Sequence, residues 1–436
     1  MQLYDYVTSI FYNNSKQSIY NMYAILDFAD AITCESFHKL GLMFVQNNPE
    51  LSTYLTMVDG CLQWAPASQS DRPCENVGTY CTYLQVTKNE FELHTTETIN
   101  NPITSLCKWH LTLLNDDSTS SSRLIWTVSH AYCDAYKCID MLLKGFTSKQ
   151  DYVPPTKKTK ITNIFENAYY LVIGTIALFA IHIKLLMSII YKALMDVFTY
   201  DSIPKKQTKD IIIECEPIYI RDVKQIAKKY EVTVNDLLIG VVFKAFHYYY
   251  QKLKMDVHAN AHDIFMPFNL NDGNSLQTKY IPNNVCFAYL EKCDASNSEC
   301  LMKYIHKWMN MYKHSAFLPV CVQLLKGIYY IYPKCAPDLI NNIGNHCLHP
   351  FVQFTNIIAP NTSDFTNHVC PDVASVRAGV NPLQNSISIV STTFDGRVRF
   401  TVSCKKGAIK HTKLFRSCIA KAFRGLAKDC AYTLAP

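Results

Sequence analysis

The segment that most constrains this chain is a run of six residues at the end of an apolar stretch. The stretch, Leu124–Val128, is rich in apolar and β-branched residues and is typical of a buried strand. The next six residues, Ser129–Asp134, carry a histidine and an aspartate, and apolar residues with helical spacing follow over 135–143. The sequence therefore predicts that His130 lies in an accessible loop between a rigid strand and a helix. Such a position suits a general base.

Taken alone, this histidine and aspartate also have an ordinary structural interpretation. A single histidine beside an apolar strand is commonly a structural residue, and an aspartate at the start of a helix is commonly an N-cap. Only the other motifs of the chain distinguish a chemical role for His130 from a structural one.

The length and composition indicate a globular protein with more than one core. With 436 residues the chain is too long for one ordinary core, so we expect two subdomains. Hydrophobic residues make up 49% and charged residues 18%, which excludes a disordered chain. The net charge of +6 comes from scattered Lys and Arg, which gives little support to nucleic-acid binding. Solvated lysines explain most of this charge, and a basic face toward an anionic lipid or a CoA phosphate stays an alternative.

The 18 cysteines indicate neither a disulfide framework nor a metal site. No C-x-x-C pair occurs, and the close pair Cys133 and Cys138 has no histidine at metal-ligand spacing. The first residues of the chain are polar and mixed, unlike a signal peptide. We therefore expect reduced thiols, no metal and a catalytic body in the cytosol.

A boundary near the middle of the chain divides it into two mixed α/β halves. Pro154 and Pro155, followed by several lysines, mark this boundary. We predict an N-terminal half over 1–150, an apolar crossover linker over 151–209 and a C-terminal half over 210–436.

The apolar linker has three interpretations. Its uncharged run lies between Glu166 and Lys184 and is slightly shorter than the roughly 20 residues of a spanning helix. The three interpretations are a transmembrane helix with Lys184 reaching the headgroups, an interfacial helix, and a core helix that joins the two halves. We favour membrane contact of one kind or another.

Local patterns predict several further elements. The predicted strands include Phe91–Thr95 and Trp109–Leu114, and Asp395 with Gly396 forms a hairpin turn between two more strands. The predicted helices include Ile220–Tyr230, Leu237–Tyr250 and Thr412–Tyr432, the last with Thr412 as its cap.

The segment around His130 resembles the H-H-x-x-x-D-G motif of the wax ester synthase/diacylglycerol acyltransferase family. Ser129 stands at the first His of that motif, His130 at the second, Asp134 at the Asp and Ala135 at the Gly. Six other segments resemble motifs of the same family in the same order, so that the resemblance covers roughly residues 20 to 430. They are Cys107–Trp109 (P-L-W), Val232–Leu238 (T-V-N-D-V-L-L), Met266–Leu270 (V-P-V-N-L), Asn283–Phe287 (G-N-x-F), Phe354–Pro360 (S-N-V-P-G-P) and Ser391–Val398 (S-Y-x-G-x-L).

The resemblance implies an α/β fold of two chloramphenicol-acetyltransferase-like subdomains that form a pseudo-dimer with a shared channel. It implies an acyl-CoA-dependent O-acyltransferase that forms a wax ester or triacylglycerol, with acyl-CoA as co-substrate and no other cofactor. His130 would be the general base and Asp134 a structural support. Ser129, Asn235 and Asn356 would contact the substrate.

The same resemblance bears on location. Both halves must lie on one side of a membrane to share a channel, which favours a linker that dips into one leaflet over a single span. We therefore expect a membrane surface as a partner, at the cytosolic face of the endoplasmic reticulum or a lipid droplet, or at the plasma membrane if the source is prokaryotic. No nucleic acid is expected.

Three positions depart from the family pattern. Ser129 replaces a His, Ala135 replaces a Gly, and Asn271 stands where an Arg would pair with Asp134. A catalytically degenerate lipid-binding or scaffold protein, or an acyltransferase for a non-lipid hydroxyl or amine, is therefore the alternative.

Overall fold

A computed structural model describes the chain over 21–58, 61–130, 132–146, 168–184, 187, 210–269, 285–318, 320–321, 323–324, 352–362, 372–382 and 387–434. In this part of the chain, two main sheets and the helices around them bury the hydrophobic core. The predicted boundaries at 150 and 209 fall outside these residues, so the three-part division of the chain stays a prediction.

The first half of the chain alternates strands and helices. Its strands are β1 (Asn21–Phe28), β2 (Thr53–Val58), β3 (Cys61–Pro66), β4 (Cys81–Gln85), β5 (Trp109–Asp116) and β6 (Ser121–Ser129). Its helices are α1 (Cys34–Asn47), α2 (Val77–Tyr80), α3 (Phe91–Asn100) and α4 (Ala135–Phe146).

The rest of the chain adds eight strands within the described residues. These are β7 (Asp210–Glu214), β8 (Ile218–Tyr219), β9 (Ile264–Asn269), β10 (Val285–Leu290), β11 (Val352–Ile358), β12 (Val373–Val380), β13 (Ile387–Phe394) and β14 (Arg397–Lys405). The helices are α5 (168–184, with a π-helical turn at Tyr170–Gly174), α6 (Ile220–Lys229), α7 (Val234–Lys252), α8 (Val257–Asn260), α9 (Ser298–His314) and α10 (Thr412–Asp429).

The strand order shows that the two halves of the chain are interleaved. The first sheet has the order β12-β1-β6-β5-β4, so a strand from the second half pairs antiparallel with β1 at its edge. The second sheet has the order β10-β9-β11-β13-β14-β7, and β8 pairs with β14. Because β12 lies in one sheet and its chain neighbours β11 and β13 lie in the other, the second half holds both sheets together.

A group of two buried arginines and two partly buried carboxylates joins the sheets. Arg123 on β6 binds Asp27 on β1 at 2.7 Å and Glu214 on β7 at 3.2 Å. Arg377 on β12 pairs with both of the same carboxylates. Burial by itself raises the pKa of Asp27, but Arg377 and Arg123 hold it below its usual value. We call these four residues the ion-pair cluster.

Most of the elements predicted above are confirmed. The strand at Trp109, the helices that begin at Ile220 and Val234, the C-terminal helix and the hairpin at Asp395 are all present. Of the described helices, none combines the length and the hydropathy needed to cross a membrane.

Two local predictions were wrong. Phe91–Thr95 is the start of α3 and not a strand, because Thr87 and Glu90 form a capping box that begins a helical turn just before it. Phe91, Thr95 and Ile99 then bury one face at a spacing of four residues. Thr412 is not the cap of α10: His411 stands at that position and makes no side-chain capping bond.

Replacing Glu214 by Gln tests the ion-pair cluster. The change leaves two buried arginines with one carboxylate between them, and an uncompensated buried charge is costly. We expect the free energy of unfolding, measured by urea denaturation, to fall by about 3 kcal/mol. Glu216→Gln, at an exposed position on the same segment, is the matched control. Equal stability of the two variants would contradict the role given to the cluster.

Candidate active site

A cavity of about 440 Å³ lies between the two sheets and receives residues from both halves of the chain. His130, Asp134, Asn235 and Asn356 all line it, so the structure brings together four of the five residues predicted for the site. Ser129 is buried but does not line the cavity, so its predicted contact with substrate gains no support from its position.

The loop that carries His130 is fixed by hydrogen bonds on both sides. The Ser129 N–H donates to the Lys108 carbonyl at 2.8 Å, and the Tyr132 N–H donates to the Ser129 carbonyl at 2.9 Å. The Tyr132 hydroxyl donates to the Thr53 carbonyl at 3.0 Å. The end of β6 thus fixes where the histidine enters the cavity, as a preorganised site requires.

The cavity keeps the His130 imidazole uncharged. Burial lowers the pKa of His130 to about 4, and a hydrogen bond with its own backbone offsets only part of this effect. At neutral pH the imidazole is therefore neutral, which is the form that accepts a proton.

Asp134 holds the start of α4. Its Oδ1 accepts the Lys137 N–H at 2.9 Å, and its carbonyl accepts the Cys138 N–H at 2.9 Å. These bonds are those of an N-cap, the ordinary structural interpretation of an aspartate at the start of a helix. The position of the missing arginine, Asn271, lies outside the described residues.

Charged side chains that the sequence patterns did not single out support the same helix. Lys137 is buried and binds Glu50 at 2.7 Å and Asp140 at 3.2 Å, and Lys144 binds Asp140 at 3.0 Å. The three- and four-residue spacing of Lys137, Asp140 and Lys144 along α4 is the sequence pattern that could have predicted their ion pairs. Glu50 is distant in sequence, so no local pattern predicts its contact with Lys137.

The two predicted asparagines approach the cavity from different elements. Asn235 lies in the first turn of α7, between Thr233 and Asp236, which form a capping box. Asn356 lies on β11, where its side-chain oxygen accepts the Ser391 hydroxyl at 2.8 Å. Since its oxygen is occupied, the NH₂ group of Asn356 is the end that suits a substrate oxygen.

Strand pairing brings several other residues to the cavity that no motif predicts. They are Met22 and Tyr23 on β1, Gln353 on β11, and Val376 and Gly379 on β12. Tyr23 faces Gly379 across the pair, and a Cβ at that glycine would overlap the Tyr23 ring. A glycine in a strand is a weak signal of such close packing.

Several proteins of known structure share this fold. The wax ester synthase/diacylglycerol acyltransferase of Marinobacter aquaeolei VT8 superposes with a TM-score of 0.56 at 11% identity, over 95% of both chains. Trichothecene 15-O-acetyltransferase of Fusarium sporotrichioides superposes with a TM-score of 0.59 at 12% identity, over 96% of this chain and 94% of that one. The first condensation domain of the CDA synthetase superposes with a TM-score of 0.58 at 10% identity, over 99% of this chain and 96% of that one. The predicted two-subdomain, chloramphenicol-acetyltransferase-like α/β fold is confirmed.

One family model matches part of the second half of the chain. Residues 288–427 match the family model of the WS/DGAT C-terminal domain. The resemblance to the wax ester synthase/diacylglycerol acyltransferase family is thereby confirmed over these residues, and this match supports an acyltransferase. No curated protein matches the chain in sequence.

Two substitutions at Asp134 separate capping from chemistry. Asp134→Ala removes the capping oxygen and should lower the free energy of unfolding by about 1 kcal/mol. Asp134→Asn keeps an oxygen that accepts the same N–H, so its stability should stay close to that of the wild type. Thermal unfolding followed by circular dichroism measures both. If Asp134→Asn lowers the free energy of unfolding as much as Asp134→Ala does, the carboxylate charge itself is required. Capping alone then does not explain Asp134.

Proposed function

We propose that this protein is an acyl-CoA-dependent O-acyltransferase that forms a neutral lipid, a wax ester or a triacylglycerol. One observation carries the proposal: His130, in its neutral form, lines the same cavity as two amide side chains, Asn235 and Asn356. A base and fixed hydrogen-bond donors in one cavity are what acyl transfer to an alcohol requires.

His130 would act on the acceptor. An alcohol is a poor nucleophile at neutral pH, so the imidazole accepts the hydroxyl proton as the oxygen attacks the thioester carbonyl carbon. The resulting tetrahedral intermediate carries a negative oxygen. When it collapses, the C–S bond breaks, and the departing CoA thiolate takes the proton from His130. Histidine is regenerated, and no acyl-enzyme is formed.

The asparagines would stabilise the negative oxygen. Amide N–H groups that are already in place stabilise the charge in the transition state without reorganisation. Asn356 is fixed through Ser391, and Asn235 by the start of a well-capped helix. We assign the oxyanion to these two amides.

The walls of the cavity favour a hydrocarbon substrate. Apolar side chains from four elements make up much of the lining, among them Met22, Ile139, Leu142, Met266 and Val376. Such a surface gains free energy when it is covered by an acyl chain. This supports a lipid acyl group in preference to a polar one.

The departures from the family motif are compatible with activity. Ala135 begins α4, and its backbone is outside the left-handed region, so the position does not need the freedom of a glycine. Ser129 fixes the loop through its backbone, which any residue at this position would provide. His130, the residue that carries the chemistry, is retained.

Replacing His130 tests the proposal. His130→Gln should lower kcat for acyl transfer from a long-chain acyl-CoA to a long-chain alcohol or diacylglycerol by roughly 10²–10⁴-fold. His110→Gln is the control, because His110 is a partly buried histidine of β5 that does not line the cavity. Activity would be measured on purified protein, and as neutral-lipid droplets formed in cells that otherwise lack such droplets. If the wild type and His130→Gln both form droplets, or if neither does, the base role of His130 is removed and a lipid-binding or scaffold protein is favoured.

The pH dependence of kcat/KM provides a second test. The base must be unprotonated, and the pKa of His130 is lowered to about 4. Protonation of this group should therefore not reduce kcat/KM as the pH falls from 8 to about 5, and the loss should come only near pH 4. An inflection near pH 6.5, the ordinary histidine value, that disappears in His130→Gln would contradict the buried, neutral imidazole.

We further propose that α5 rests on a lipid surface. One side of this helix packs on the C-terminal half. Leu178 is fully buried, and the ring centroids of Phe179 and Phe317 lie 4.9 Å apart. The same helix also carries exposed apolar residues, namely Leu171, Val172, Ile173, Ile176 and Ile183. A helix with one face on the protein and an apolar face outward fits an interfacial position better than a span.

Charge placed on that outer face should weaken lipid binding. We expect Val172→Lys with Ile176→Lys to reduce binding to phosphatidylcholine vesicles at least roughly tenfold in flotation assays. Leu93→Lys, at another exposed leucine on α3, is the control. Unchanged binding of the double variant would show that α5 is not the lipid-contacting surface.

A further inference from the structure

The cavity that holds His130 has one cationic side chain that acyl transfer itself does not use. Among the described residues that line it, Lys313 is the single lysine or arginine. Of the other titratable groups in the lining, His130 is neutral and Asp134 caps α4. The positive charge at the wall of this cavity therefore comes from one identified ammonium group.

Lys313 lies near Asp236 but makes no hydrogen bond with it. It lies in the last turn of α9, and its Nζ is 3.9 Å from Asp236 Oδ1, beyond hydrogen-bonding distance. Asp236 uses its other oxygen, Oδ2, to accept the Thr233 N–H at 3.0 Å and to contact His306 Nδ1 at 2.8 Å.

The lysine stays accessible, whereas the aspartate does not. The Lys313 side chain is 26% exposed, and the Asp236 side chain is fully buried. Burial by itself raises the pKa of Asp236, but the hydrogen bond with His306 and the charge of Lys313 bring it below its usual value. Asp236 is therefore ionised at neutral pH and holds the lysine near the cavity, while the ammonium group keeps its hydrogen bonds for another anion.

We infer that Lys313 binds a phosphate group of the acyl donor where the cavity meets solvent. This inference rests on the proposed function, which supplies a donor with several phosphates. A lysine ammonium is a common phosphate ligand, and a cation in a partly enclosed site attracts an anionic substrate. The apolar walls then take the acyl chain, and Lys313 selects a phosphorylated thioester over a neutral one.

Direct binding measurements on the full chain test this inference. CoA, 4′-phosphopantetheine and pantetheine would be titrated calorimetrically into the wild type, Lys313→Met, Lys313→Arg and Lys307→Met. Lys307 lies on the same helix, is exposed and does not line the cavity, so its variant is a matched loss of one positive charge. Pantetheine carries no phosphate, and phosphopantetheine carries only the phosphate nearest the thiol.

The expected pattern is specific to the phosphate. Lys313→Met should weaken CoA binding roughly tenfold. Lys313→Arg and Lys307→Met should bind CoA nearly as the wild type does, and pantetheine binding should be equal in all four proteins. An equal loss for phosphopantetheine would identify the phosphate nearest the thiol as the ligand; a loss for CoA alone would identify a phosphate on the nucleotide side.

Two results would overturn the inference. One is unchanged CoA affinity in Lys313→Met, and the other is an equal loss for pantetheine, which would mean that the variant damages the cavity wall. Failure of the proposed function has a different signature. In that case the wild type binds CoA through Lys313 but transfers no acyl group.

Discussion

The ion-pair cluster is the interaction that fixes the two sheets relative to each other. Asp27 and Arg123 belong to neighbouring strands of the first sheet, Arg377 to the strand that the second half adds to it, and Glu214 to the second sheet. Each carboxylate contacts both arginines, so none of the four charges is left alone in the interior. Such a group stabilises the fold little more than an apolar contact would, but removing one member strongly destabilises the fold. It therefore favours one relative position of the two sheets over others.

The cavity exists because of that relative position. His130 comes from the end of a strand in the first sheet, Asn356 from a strand in the second, and Asn235 and Lys313 from helices of the second half. None of these residues is close to His130 in sequence. A base placed by one half of the chain thus meets amide donors and a cation placed by the other, in an environment apolar enough to keep the imidazole neutral. We regard this shared construction as the physical basis of the proposed acyl transfer.

The sequence predicts the local part of this arrangement well. The strand, loop and helix around His130 follow from an apolar run and a capping aspartate, and the hairpin at Asp395 follows from turn chemistry. The start of α3 was missed because apolar residues in a short segment fit a strand as well as a helix. Lys313, Gln353 and the ion-pair cluster could not be predicted, because their neighbours are set by strand register and helix packing between distant segments. The predicted contact of Ser129 with substrate came from motif position alone, and this residue is buried and does not line the cavity.

We propose that acyl transfer takes place in the cavity between the two sheets, with His130 as base. A crystal structure with a non-hydrolysable acyl-CoA analogue and a long-chain alcohol tests this proposal. We expect the alcohol oxygen within hydrogen-bonding reach of the His130 imidazole, roughly 2.6–3.2 Å. We also expect the carbonyl oxygen of the analogue beside Asn235 and Asn356. An analogue bound outside this cavity, or bound in it with its thioester position remote from His130, would show that acyl transfer does not take place there.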